Sequence, residues 1–196
     1  MNLEQLQEVT EKVNLYILGM LPPFRYKHSV RVAVLARDLC ARFAVEPAKG
    51  YLAGIAHDMC KTAQDEWLLN MAEKDGAKLT GIEKSKPALL HGRAAALLLA
   101  EDFQVTDPSV LNAVRYHTFG SPDIDDLGKI IYVADKIEPK RPDIDPVLRE
   151  RMLSSDLDTM TIMVMEMTIS YLAAKGKKVA KNTKLMLQHL QEGKNK

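Results

Sequence analysis

The chain has 196 residues, and 27 Lys plus Arg against 26 Asp plus Glu leave a formal net charge of +1, which argues against a nucleic-acid coat or a polybasic membrane-surface protein. Apolar residues at 46% and charged residues at 27% describe a globular chain rather than a disordered one, of a size that can bury roughly 70% of its unfolded surface in one domain. Cys40 and Cys60, the two cysteines, suggest a reducing compartment rather than a disulfide framework. No apolar run reaches the roughly 18 residues of a bilayer span, and Glu4, Glu8 and Glu11 make the N-terminus unlike a signal peptide. The expectation is a cytoplasmic protein with neither nucleic acid nor membrane as partner.

Apolar spacing is helical nearly everywhere. Leu3, Leu6, Val9, Val13 and Ile17 fall three or four apart on one face, and Gly19, Pro22 and Pro23 end that helix. A second helix is expected over 26–43, with His28, Val32, Leu35, Leu39 and Phe43 on one side. A third starts near Pro47. Its Gly50, Ala53 and Gly54 share a face with His57, so a neighbouring backbone can come close to that histidine. A surface helix covers 65–74, and 75–86 reads as loop. Pro87 opens a helix with His91, Ala95 and Leu98 on one side. Asp107-Pro108 reads as an N-cap and first-turn proline for a helix that groups Val110, Ala113, Val114 and His117. Ser121-Pro122-Asp123 is loop, and then Leu127, Ile131 and Asp135 share a face until Pro139 and Pro142. The segment 157–174 is apolar on two faces, so it is either central or at an oligomer interface, and a homodimer stays open. Residues 175–196 carry seven lysines around Val179, Met186 and Leu190. They read as a solvated face, or as a means of gathering anionic substrate. The fold class is all-α, in one domain over 1–196 with its core at about 16–175 and a last helix to about 192.

Four of the five histidines, His28, His57, His91 and His117, stand among apolar residues, and Asp58 and Asp135 accompany them. A single histidine on an apolar face is ordinarily a satisfied core residue. Four of them on separate helices, with two carboxylates that burial would otherwise penalise, fit a site for a borderline divalent cation. His57 and Asp58 are adjacent, so a helix would aim them about 100° apart. Both can reach one ion only near a helix end, or with Asp58 bridging two ions, which favours a dinuclear site.

The ordered set His28, His57-Asp58, His91, His117 and Asp135 resembles the HD-domain metal-dependent phosphohydrolases. The words Arg25-Tyr26-Lys27-His28-Ser29, His57-Asp58-Met59-Cys60-Lys61, Tyr116-His117-Thr118 and Tyr132-Val133-Ala134-Asp135-Lys136-Ile137-Glu138-Pro139-Lys140-Arg141 look like the bacterial YqeK group, symmetrically cleaving diadenosine tetraphosphate hydrolases. The resemblance implies a helical bundle holding two divalent transition-metal ions. It implies one ion held by His28, His57, Asp58 and Asp135, and a second held by His91 and His117 with Asp58 bridging. It suggests iron, while the donor types alone also permit manganese, cobalt or zinc. A metal-activated hydroxide would then cut the substrate at its centre into two ADP. Phe119 departs from the pattern, which has a small or hydroxyl residue after His117-Thr118, and this bears on the shape of the substrate pocket.

Asp58 and Lys61 are the expected catalytic pair, since Lys61 returns to the same helical side three residues on. Lys61, Thr118, Arg141 and Arg25 are the candidate contacts to a nucleotide substrate. For Arg141 the alternative is a salt bridge to Asp143 or Asp145, and for Thr118 a helix cap. Another HD-type nucleotide phosphohydrolase, such as a deoxynucleotide phosphatase, and a non-catalytic module whose helices a metal staples together remain as alternative functions. A cyclic dinucleotide phosphodiesterase is disfavoured by the missing Gly-Tyr-Pro extension. A guanosine tetraphosphate hydrolase is disfavoured because Met59, Cys60 and Lys61, not an acidic pair, follow His57-Asp58.

Overall fold

The computed structural model describes residues 1–142 and 144–194. Eleven α-helices and no strand are found among them: α1 Leu3–Met20, α2 Pro23–Arg42, α3 Pro47–Ala56, α4 Asp65–Lys74, α5 Gly81–Ser85, α6 His91–Glu101, α7 Pro108–Tyr116, α8 Asp126–Ile137, α9 Pro146–Leu153, α10 Leu157–Ala174 and α11 Lys181–Lys194. The all-α expectation holds. No helix among the described residues is long and apolar enough to cross a membrane.

Helix α1 buries Leu6, Val9, Val13 and Ile17, while Leu3 at its first turn stays exposed. Its start is fixed by a capping box, in which Asn2 accepts from the Gln5 amide and Gln5 reaches back to the Asn2 amide. Pro23 sits in the first turn of α2, where its missing N–H costs nothing, so that helix begins three residues earlier than its apolar face suggests.

Helices α3 and α8 are central. α3 packs on α1, α2, α7 and α8, and α8 packs on α2, α3, α7 and α10. The close approach of α2 to α3 depends on glycine. A β-carbon on Gly54 would stand 2.6 Å from Ala33 Cα, and one on Gly50 would stand 2.5 Å from Cys40 Sγ. The small-residue face of α3 therefore lets the α2 backbone close down next to His57.

Three segments differ from the sequence reading. Residues 75–86 are not all loop: Thr80 and Glu83 form a capping box that starts the five-residue α5. Pro87 opens a 3-10 turn, Pro87–Leu90, and α6 begins only at His91. Helix α9, capped by Asp145, fills a stretch that the sequence left unassigned. Along α10, Leu157, Met160 and Val164 are buried in the core, whereas Met167 and Tyr171 face a cleft. Both cysteines are buried and unpaired, and burial pushes the Cys60 thiol up to about 12.

Candidate metal centre

Three of the four candidate histidines are set by the end of a helical turn. α3 stops at Ala56, α7 stops at Tyr116 and the 3-10 turn stops at Leu90, so His57, His117 and His91 each follow a completed turn. Each ring uses the carbonyl three residues back. His57 Nδ1 donates to Gly54 O at 2.7 Å, His91 Nδ1 to Ala88 O at 2.8 Å and His117 Nδ1 to Val114 O at 2.7 Å. A carbonyl only accepts, so the proton is on Nδ1, and a neutral ring turns a bare Nε2 lone pair inward.

The inward atoms converge. His91 Nε2 and His117 Nε2 are 3.0 Å apart, and His57 Nε2 lies 3.6 Å from Asp135 Oδ1 and 3.8 Å from Asp58 Oδ2. His28, from the second turn of α2, brings Nε2 to 3.1 Å from Asp135 Oδ1. Three overlapping groups result, each with its donor atoms within 4.8 Å of one another: His28, His57 and Asp58; His57, His117 and Asp135; Asp58, His91 and His117. All six residues named from the sequence meet in one place, and Asp58 belongs to two of the three groups.

The donor set suits a cation on grounds internal to the structure. His57 Nε2 and Asp58 Oδ1 are buried and have no hydrogen-bond partner. Asp58 Oδ1 has His91 Nε2 at 3.1 Å and Lys61 Nζ at 3.2 Å, neither with hydrogen-bond geometry. Two lone pairs facing each other at 3.0 Å, as on His91 and His117, repel unless something positive stands by them. An imidazole fixed by a backbone carbonyl on its other nitrogen is the usual arrangement of a metal-ligating histidine.

The electrostatics agree. Burial pushes the Asp58 carboxyl up, but His57, His117, His91 and Lys61 outweigh it and hold the group well below the ordinary carboxylate range. Asp135 behaves alike: burial opposes ionisation, and Lys136, His28 and His57 outweigh it. Burial pulls His117 down to about 3, so that ring is neutral. Burial also works against charge on His57, yet Asp58 and Asp135 raise it. Two ionised carboxylates thus impose a field that favours positive charge at the centre.

Lys61 stands beside the cluster with Nζ 3.0 Å from His91 Nε2, brought there by the turns that follow α3 rather than by a continuing helix, since α3 ends at Ala56. Arg25 stands with Nη1 3.7 Å from Asp58 Oδ2. Thr118 Oγ1 is 3.3 Å from His117 Nε2 and 3.5 Å from His91 Nε2, beside the cluster and not at a helix cap. Arg141 donates Nε to Asp135 O and Nη2 to Asp135 Oδ1, both at 2.7 Å. Asp145 is occupied in capping α9, and Asp143 lies outside the described residues.

Two residues were missed. Glu138, one turn beyond Asp135, has Oε1 3.2 Å from His28 Nδ1 and takes Arg31 Nε at 2.5 Å and Nη2 at 2.9 Å. Burial resists its ionisation, but Arg31 above all holds it down to about 2. It orients His28 as the three carbonyls orient the other rings. Lys136 donates to His117 O at 2.9 Å and lies 3.8 Å from the centre of the Tyr132 ring. The spacing of one turn from Asp135 to Glu138 was the available signal for Glu138. For Lys136 it was position beside Asp135.

A cleft of about 370 Å³ opens from the cluster. Lys61, Lys136 and Arg141 supply cationic groups, and Ile144, Met167 and Tyr171 supply an apolar wall. Such a mixture at that size suits a small anionic ligand with an apolar end.

Known proteins are similar to this chain in sequence and in fold. The family model of the HD domain matches residues 25–140. The chain is 33% identical over 175 residues to the symmetrical bis(5'-nucleosyl)-tetraphosphatase of Bacillus subtilis, covering 88% of this chain and 92% of that protein. It is 28% identical to the protein of the same name from Staphylococcus aureus, over 89% of this chain and 87% of that one. The crystal structure of a predicted HD superfamily hydrolase involved in NAD metabolism from Clostridium acetobutylicum superposes with a TM-score of 0.86 at 30% identity, covering 93% of this chain and 97% of that one. With the family model spanning more than half of the chain and the histidines and aspartates gathered at its centre, the protein belongs to the HD domain family.

Proposed function

We propose that the chain is a symmetrical bis(5'-nucleosyl)-tetraphosphatase that cleaves diadenosine tetraphosphate into two ADP. The observation that carries this is the convergence of six histidine and aspartate donors, two of them with unsatisfied buried atoms, at the inner end of a cationic cleft. The names of the relatives from Bacillus subtilis and Staphylococcus aureus support the substrate class. His28, His57, Asp58 and Asp135 would hold one divalent cation, and His91 and His117 a second, with Asp58 shared. A bound pair of divalent cations supplies Lewis-acid activation of water and of phosphoryl oxygens.

The remaining work belongs to the chain's own groups. Lys61, already beside Asp58 and His91, meets charge that develops on the central phosphates. Arg141 and Lys136 line the cleft next to Asp135 and neutralise the polyphosphate. Thr118 offers a hydroxyl at the same edge, and Arg25 approaches from the Asp58 side. In the net reaction one water adds across the central phosphoanhydride. Its oxygen joins one phosphorus, the bridging P–O bond breaks, and the second ADP leaves with the bridging oxygen and its electron pair.

This reading takes iron as the resident metal, with manganese, cobalt or zinc as alternatives, and the cytoplasm as location, in keeping with two unpaired buried thiols. It treats residues 1–196 as one catalytic unit. Product chromatography after incubation with iron or manganese tests it. Two ADP as the sole product is expected, and one of the two carries the label in oxygen-18 water. AMP plus ATP, or no cleavage with either metal, overturns it.

A further inference from the structure

A second cleft, of about 430 Å³, lies beyond the first, and the two share Thr118 and Thr168 as lining residues. Thr118 is also the residue whose hydroxyl stands 3.3 Å from His117 Nε2, so the second cleft reaches the candidate metal centre through Thr118, while His117 and Asp135 themselves line the first. The second cleft repeats the chemistry of the first with different residues. Phe119 and Leu172 give it apolar surface, and Lys86, Lys177 and Lys178 give it positive charge. Both volumes fall in the range of small-molecule sites, roughly 300–1,000 Å³.

We infer that the second cleft is the seat of the second nucleotide of a dinucleoside polyphosphate, with the Phe119 ring against its base and the three lysines along its phosphates. The inference rests on the tetraphosphatase reading. A substrate cut at its midpoint extends equally in both directions from the scissile bond, so the centre that cuts it needs a cleft on each side. The two clefts are of similar size, and Thr118 and Thr168 stand between them. Phe119 thereby acquires a reason for replacing the small residue expected after His117-Thr118: an aromatic face gives a base something to stack on, and every base has such a face. Its position is held from behind, because Thr183 Oγ1 at the start of α11 donates to Phe119 O at 2.7 Å. The lysines come from two separate places, the end of α5 and the connection between α10 and α11. All three are exposed, so replacing them does not disturb the core.

ADP binding to the metal-loaded protein, followed by calorimetry, tests the inference without turnover. Two ADP per chain are expected for the natural sequence and one for Lys177→Glu/Lys178→Glu. A single ADP per chain in the natural sequence, or two undiminished sites in the variant, overturns it. Kinetics give the second measure. In Phe119→Ala and in the double lysine variant, the preference for diadenosine tetraphosphate over adenosine tetraphosphate, which has only one nucleoside, should fall about tenfold or more. Equal losses on both substrates, or no loss on either, would sink the second-nucleotide assignment. Far-ultraviolet circular dichroism and Tm separate a folding defect in Phe119→Ala from loss of a contact. Failure of the natural sequence to cleave diadenosine tetraphosphate would strike the tetraphosphatase reading alone, because the count of ADP sites is independent of cleavage.

Discussion

Three of the four clustered imidazoles are aimed by the same local device, a ring nitrogen donating to the carbonyl one turn back, and the fourth by a carboxylate. That difference makes His28 the ring most open to perturbation from outside its own turn. Replacing Glu138 by Gln removes the charge that Arg31 and His28 both use. A fall in metal affinity of about tenfold to a hundredfold is expected, measured by competition with a chelator, and unchanged affinity would deny Glu138 its orienting part. Asp58→Ala should abolish turnover, because one carboxylate belongs to two donor groups. Activity above a few per cent would contradict a shared ligand. Lys61→Ala should slow turnover by about a hundredfold with metal content intact by elemental analysis. Loss of metal would move Lys61 from substrate to structure. At this scale the sequence was highly informative about residue types, since all six donors were named from it. It did not reveal Glu138 or Lys136, because their contacts join α8 and the residue after it to α2 and to the end of α7, nor the partner of Arg141, which reaches Asp135 six residues back across the end of α8 where helical spacing no longer holds.

Elements were legible where periodicity is long. α4 and α10 begin and end where the sequence places them, and the prolines at 47, 87 and 108 all mark true starts of helical turns. α5 escaped because five residues carry no period, although the Thr80–Glu83 capping box is written in the sequence. The α2–α3 contact was legible in kind through Gly50 and Gly54, but not in degree. Gly54→Ala would push a β-carbon to 2.6 Å from Ala33 Cα, and backbone cannot swing aside as a flexible side chain can. A loss of about 1–3 kcal/mol in urea unfolding is expected. Weakened metal binding should accompany it, since Gly54 O holds His57. Unaltered stability would mean that α2 and α3 separate freely.

The molecule as a whole is also tied together away from the centre. Asp75, after α4, binds Arg93 of α6 at 2.5 Å and Arg115 of α7 at 2.9 Å, and Arg93 reaches Glu83 of α5 at 3.2 Å. Burial opposes ionisation of Asp75, but the guanidinium groups outweigh it and lower its pKa from the ordinary value. A carboxyl lowered in the folded state contributes stability that is fully present above its unfolded pKa. That contribution is lost as pH falls through the lower folded value. The metal-free protein should therefore lose stability below roughly pH 4. Asp75→Asn should lessen that acid-limb loss, as read from urea midpoints across pH. An unchanged acid limb in the variant would remove Asp75 from the account.

By itself the sequence determined the helical class, the helix starts at Pro47 and Pro108 and the six donor side chains in their order. These are properties of local spacing and residue chemistry, and an α-helix expresses them wherever it is placed. Only the tertiary structure decided how the donors meet, that Arg141 serves Asp135, that Glu138 stands behind His28, and that two clefts flank Thr118 and Thr168. His28 and Glu138 are 110 residues apart in the chain, and no period of 3.6 residues reaches that far. Their contact follows from the closeness with which α2 can approach α3 and α8, which is set by volume and packing across the core.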